Sequence, residues 1–198
     1  MTVIVMALTA IAGHAAITAE QVLGKVASAL TKPASVTVTF AYSGNGQTGN
    51  GNMTVCRRLF TYNAGDLTVW YDGKTQWALA RSAKEVSVTE PEESELIESN
   101  PFMIISNYKN LYTAKLMSAP KGYYKIALTA KSRRAAVRTA VLTVNATTFI
   151  PTLIEATMGQ NVKTTIHVKS FSKGKALPQS YFRFSSGQHK DIKVNDLR

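Results

Sequence analysis

The chain is 198 residues long, 45% hydrophobic and 18% charged, with 12 Gly and 6 Pro, a make-up that excludes disordered and collagen-like classes and suffices for one domain with its own core. Its formal net charge of +11 is lopsided: residues 1–120 carry nine Lys and Arg against nine Asp and Glu, whereas residues 121–198 carry 14 against Glu155, Asp191 and Asp196. The single cysteine, Cys56, excludes an internal disulfide framework.

Residues 3–12 form an apolar run followed by small residues at Gly13 and Ala15, the pattern of an export signal, although no Lys or Arg precedes Lys25. The run is too short to span a bilayer. Residues 1–15 are therefore read as a signal segment and residues 16–198 as a single domain, soluble rather than anchored.

The spacing of Val22, Leu23, Val26 and Leu30 predicts a helix over Ala19–Thr31, started by Thr18 or Glu20 and ended by Pro33. Val36, Val38, Phe40 and Tyr42 then alternate with Ser35, Thr37, Thr39 and Ala41, which predicts a half-buried strand. Residues 43–52 are rich in Gly and Asn and read as a loose hairpin tip leading into Met53-Thr54-Val55-Cys56-Arg57. Within that tip, Gly44-Asn45-Gly46-Gln47-Thr48-Gly49 has the dinucleotide-binding spacing, but that chemistry needs a helix after the glycine turn. A β-branched run follows instead, so the segment is a turn. Cys56, inside this strand-like run, reads as a small buried hydrophobe.

Further strands are predicted at residues 59–62, 67–71, 75–80 and 85–89, with Asp72-Gly73 marking a type I′ hairpin turn. The acidic group Glu90, Glu92, Glu93, Glu95 and Glu98 lacks the alternating ligands and glycine of a calcium loop and reads as solvated. Residues 92–105 are helical or irregular. From residue 123 to 184 the alternation returns, with Tyr124, Ile126 and Leu128 in one strand and Ile150, Ile154 and Met158 in another. Lys163, His167 and Lys169 fall on the outer side of a strand that buries Ile166 and Val168. The fold class is mainly β, in an α+β arrangement with few helices.

His14, His167 and His189 have no metal-ligand spacing and no catalytic triad can be assembled, so neither enzyme chemistry nor a metal or cofactor is expected. The basic C-terminal part favours an anionic partner or simply aids solubility. Nucleic acid is not expected, because Trp70, Trp77, Phe60 and Tyr62 lie in the electrically neutral part, away from the basic strands.

Three segments together resemble the LolA family of periplasmic lipoprotein chaperones. Asp72-Gly73-Lys74-Thr75-Gln76-Trp77 is similar to its Asp-Gly-Lys-Thr-x-Trp hairpin, and Asn100-Pro101-Phe102-Met103-Ile104-Ile105 to its Pro-Phe-started apolar segment. The end of the chain, Tyr181-Phe182-Arg183-Phe184 with Gly187, Val194, Asp196 and Arg198, is similar to its closing pattern. The resemblance implies an incomplete antiparallel β-barrel whose hydrophobic concave face is covered by helices. It implies a cavity for acyl chains bounded by Leu30, Val38, Phe40, Val55, Phe60, Tyr62, Trp70 and Trp77, with a lid at Pro101, Phe102 and Ile105. The family's functional arginine falls on Arg57 or Arg58, Arg57 matching best, where it would hold the lid closed; Arg58 stands where the family has Pro, and one residue is missing before Leu59. The partners so implied are acylated lipoproteins, an inner-membrane lipoprotein-releasing complex and an outer-membrane acceptor, met by a monomer in the periplasm of a Gram-negative bacterium. A second reading is an envelope sensor of the same fold that binds lipid or protein without carrying it.

Overall fold

The computed structural model describes residues 17–92, 95–97, 102–188 and 191–198. The predicted signal segment, Glu93, Glu98, Pro101 and His189 lie outside the described residues.

Helix α1 occupies Ala19–Thr31, as its apolar spacing predicts. Its start is a capping box: the Thr18 hydroxyl accepts from the Gln21 amide, and the Gln21 side chain accepts from the Thr18 amide. The strands that follow are β1 (Ser35–Gly44), β2 (Gln47–Cys56), β3 (Leu59–Ala64), β4 (Leu67–Tyr71), β5 (Gln76–Ala80) and β6 (Glu85–Thr89). Helix α2 spans Met103–Leu111 and runs directly into β7 (Tyr112–Met117). Strands β8 (Tyr123–Ala130), β9 (Val137–Asn145), β10 (Pro151–Met158), β11 (Lys163–Gly174) and β12 (Lys193–Asp196) complete the series. They form one open 12-stranded sheet in the order β12-β6-β5-β4-β3-β2-β1-β11-β10-β9-β8-β7. All pairings are antiparallel except β12 with β6.

Two turns differ from expectation. The Gly- and Asn-rich tract is strand on both sides of a two-residue turn, in which Asn45 (φ 49°) and Gly46 (φ 72°) take left-handed conformations. Glycine belongs in these strands because aromatic rings fill its place: Phe40 pairs with Gly51 and Tyr42 with Gly49, and a Cβ at residue 51 would stand 2.5 Å from the Phe40 ring. The second turn, after β4, is not type I′. It has four residues, only Gly73 is left-handed (φ 96°), and the Asp72 carboxylate accepts the amides of Lys74 and Thr75 in the manner of an Asx turn.

One face of the sheet carries the main core. Val36, Val38, Phe40, Met53, Phe60, Tyr62, Val69, Tyr71, Ile126, Leu128, Leu142, Ile154 and Ile166 all belong to a single cluster with the buried faces of α1 and α2. The apolar side then reverses at the β5–β6 end. There Ala78 and Ser87 pair on the helix-covered face, while Trp77 pairs with Val88 and Leu79 with Val86 on the opposite one. That second apolar patch is capped by the C-terminal segment, whose Phe182 is wholly buried and whose Phe184 meets the Trp70 ring edge-on at 5.6 Å. Cys56, at the end of β2 on the outer face, is half-buried rather than buried, because its cross-strand partner Leu59 sits beside an exposed turn.

Candidate functional site: the covered concave face

The alternation of β1 to β4 aims one side chain in two toward the helices, and in this half of the sheet those side chains are mostly aliphatic or aromatic, with Gly49 and Gly51 leaving room for the Tyr42 and Phe40 rings. Phe40 lies at the centre, stacked on Tyr62 at 5.7 Å and tilted against Phe102 at 5.5 Å. Phe60 and Tyr71 form a second cross-strand aromatic pair at 5.3 Å. Against this wall α1 lays Val22, Leu23, Val26 and Leu30, and the second cover supplies Leu96, Ile97, Phe102, Ile104, Ile105 and Tyr108, all buried. Helix α1 touches β1 and β2 in the middle of the sheet and β7 at its end, so it bridges the face rather than following one strand.

Apolar contact dominates the seam between cover and wall. The Tyr108 hydroxyl donates to the Glu20 carbonyl at 3.3 Å, tying the two helices to each other, while at the end of β8 the Lys131 amide donates to the Leu111 carbonyl at 2.9 Å and its ammonium to the Lys109 carbonyl at 2.7 Å, tying α2 to the wall. The Lys25 ammonium also sits 4.4 Å above the Phe149 ring. Burial, with Tyr42 as a lesser cause, pushes the Tyr62 phenol up to about 12. Burial alone does the same to Tyr112, whose hydroxyl donates to the Val137 carbonyl at 3.0 Å. Both phenols are therefore neutral wall groups.

Of the residues singled out in the sequence, Leu30, Val38, Phe40, Val55, Phe60, Tyr62, Phe102 and Ile105 meet on this covered face. Trp70 and Trp77 do not. They are direct cross-strand partners, and the side-chain alternation that sends Val69 and Tyr71 inward sends both indoles to the outer face. Arg57 stands apart too. It is the first residue of an exposed two-residue turn between β2 and β3, left-handed at φ 58°, and makes no hydrogen bond among the described residues. With Arg58 it borders an outer groove of about 600 Å³ that also touches Ala34, Gly73 and Leu177. Sequence reasoning missed α1 residues Val22, Leu23 and Val26 as parts of the site, although their spacing already marked one face.

Among the described residues no three His, Cys, Asp or Glu side chains gather as metal ligands, and no helix is long and apolar enough to cross a membrane. The covered face is apolar throughout, with its aliphatic and aromatic side chains packed between sheet and helices.

The family described as outer membrane lipoprotein carrier protein LolA matches residues 8–160, ending before the closing pattern at residues 181–198. A search of curated proteins finds no match. Among solved structures, an uncharacterised conserved protein from Thermus thermophilus superposes with a TM-score of 0.60 at 13% identity, covering 90% of this chain and 98% of its own. A LolA superfamily protein from Nitrosomonas europaea gives 0.46 at 14% identity over 85% and 99% of the two chains. The Pseudomonas aeruginosa MucA/MucB complex gives 0.42 at 14% identity, covering 85% of this chain and 61% of that one.

Proposed function

The chain belongs to the outer membrane lipoprotein carrier protein LolA family, and from that premise we propose that it is a periplasmic carrier that shelters the acyl chains of lipoproteins between its concave face and its helices. The observation that supports this most is the continuous apolar wall from Val36 to Ile166 covered by helices joined to it mainly through side-chain packing. A guest made of methylenes needs no directional partner, only surface withdrawn from water.

Magnitudes suit exchange rather than permanent capture. Burial of a large aliphatic side chain contributes about 1.5–3 kcal/mol, so the four inward residues of α1 hold it with on the order of 10 kcal/mol. A buried acyl chain of about 15 methylenes contributes roughly 12 kcal/mol on the same scale. Entry of lipid and closure of the helix are thus opposed by similar amounts, which permits loading and release without an energy source in the protein. The protein needs no chemistry of its own and would receive its cargo at an inner-membrane releasing complex and yield it to an outer-membrane acceptor.

Native mass spectrometry of the protein purified from a lipoprotein-producing host, together with a release assay on inner-membrane vesicles, tests the reading. A carrier shows co-bound acyl species and brings lipoproteins into solution as a complex. Consistently empty protein that fails to release lipoproteins would overturn it. Acyl binding without release would favour the sensor of the same fold.

A further inference from the structure

Between Glu98 and Glu155 the chain has no acidic residue, yet it carries Lys109, Lys115, Lys121, Lys125, Lys131, Arg133, Arg134 and Arg138. Lys109, Lys131, Arg133 and Arg134 lie where α2 ends, β8 ends and β9 begins. Lys131 is anchored there by its bond to the Lys109 carbonyl, and the Arg134 amide donates to the Ser132 hydroxyl, which shapes the loop. Arg133 and Arg134 are exposed, and neither forms an ion pair among the described residues.

The same loop borders an opening into the covered core. A pocket of about 200 Å³ is lined by Ile97, Leu111, Tyr112, Ala135, Val137 and Arg134. Ile97, Tyr112 and Val137 are core residues, so its floor is the apolar interior, while its rim bears a guanidinium. The pocket is smaller than a site for a whole drug-sized ligand. It suits the neck of an amphiphile whose chain continues beneath the helices.

A second opening onto the core, of about 300 Å³ between Tyr42, Tyr62 and Leu67, lies at the same end of the strands. Its rim carries Asp66 instead. The Ser82 hydroxyl and amide, with Arg81 as a lesser cause, hold that carboxyl below the usual carboxylate range, and the Arg81 guanidinium donates to the Gly65 carbonyl beside it, so this rim carries both charges. An anionic head group is drawn to the opening beside Arg134, whereas beside Asp66 the carboxylate and the neighbouring guanidinium offset one another.

Resting on the acyl-carrier reading, we propose that the ligands of the concave face include anionic amphiphiles, whose carboxylate or phosphate is held at Arg134 and Arg133 while the chain enters between Ile97, Leu111 and Tyr112. Guanidinium is suited to both oxyanions, because its fork donates two parallel hydrogen bonds.

The test uses delipidated full-length protein and three probes: palmitate, dipalmitoyl phosphatidylglycerol and palmityl alcohol as the uncharged control. Palmitate is expected to bind about tenfold more tightly than the alcohol, the equivalent of one charge-assisted hydrogen bond at a partly exposed rim. That preference should shrink with added salt. In the R133A/R134A variant, whose side chains are exposed, palmitate should fall to the affinity of the alcohol, which itself stays unchanged. Preference for phosphatidylglycerol over palmitate would assign the site to phospholipid, and the reverse to fatty acid. Equal binding of palmitate and alcohol to the wild type, or a preference that survives in R133A/R134A, would overturn the head-group assignment and leave the carrier reading standing. Failure of all three probes to bind would overturn both. As a second variant, A135W fills the pocket and should weaken every probe alike.

Discussion

The Arg183 guanidinium donates to the Asp72 carboxylate at 2.8 Å, fastening the C-terminal segment to the turn between β4 and β5. The Asp72 side chain is only 6% exposed, whereas that of Arg183 is 52% exposed. Asp72 therefore has more to lose. Its other oxygen already accepts the Lys74 and Thr75 amides, so Asp72→Ala should cost about 2–3 kcal/mol, against about 0.5–1 kcal/mol for Arg183→Ala. Urea unfolding of both variants, with the wild type, measures this.

Burial alone would raise the Asp72 pKa, but the Thr75 and Lys74 amides and the Arg183 guanidinium outweigh it, and the carboxyl stays below its usual range. A carboxyl depressed in the folded state stabilises above its unfolded value of about 4, and the benefit disappears as pH falls through the folded value. Stability should therefore drop on acidification below about pH 4, and less so in Asp72→Ala. Urea midpoints between pH 7 and pH 2 check the difference.

Alkali acts through different groups. Tyr62 and Tyr112 have phenols raised to about 12, so their contribution is complete below the unfolded value of about 10 and is lost as pH rises from there toward 12. Tyr62→Phe should move the midpoint of alkaline unfolding upward, read by circular dichroism.

Gly51 and Gly24 should respond in opposite senses to the same change. A Cβ at residue 51 meets the Asn63 carbonyl oxygen as well as the Phe40 ring at 2.5 Å, and the backbone cannot yield. Gly51→Ala should cost about 2–3 kcal/mol. Gly24 lies within α1 with open space around its Cβ position, so Gly24→Ala should add about 0.5–1 kcal/mol. Thermal melts of the two variants give the sign directly.

Arg57→Gly separates the expected lid role from the observed position. The left-handed φ of 58° costs a non-glycine residue about 1 kcal/mol, which glycine restores. With the side chain on an exposed turn, acyl-probe affinity should stay unchanged while stability rises. A large gain in probe binding on removing the guanidinium would return Arg57 to the lid.

Where local chemistry decides structure, the sequence was legible. Helix α1 has its predicted bounds because the Thr18–Gln21 capping box and the apolar stripe agree. The alternation of β1, β3 and β4 was equally plain. Period 2 says only that two faces differ, however, and which face meets the helices depends on pairing between distant strands. Trp70 and Trp77, expected along the cavity, face the other way for this reason: Val69 and Tyr71 take the inward positions of β4, on β5 the apolar side reverses, and the covering Phe182 lies more than a hundred residues further on. Likewise Gly49 and Gly51 read as loop by propensity, because the rings that justify them, Tyr42 and Phe40, act across a strand pair. The strand at Tyr112–Met117, which continues from α2 without a break, carried no turn signal to announce it.

Strand β1 is bonded on one side to β2 and on the other to β11, with Ser35 opposite Gly174. The middle seam of the sheet thus joins two stretches that are made far apart in time. A growing chain cannot close that seam until residues 163–174 are available, since the entropy of so large a loop must be met before any of its ladder forms. The hairpins on either side of the seam can form first, so the ladder between β1 and β11 is the last stretch of the sheet to close, and the two halves of the wall are joined late.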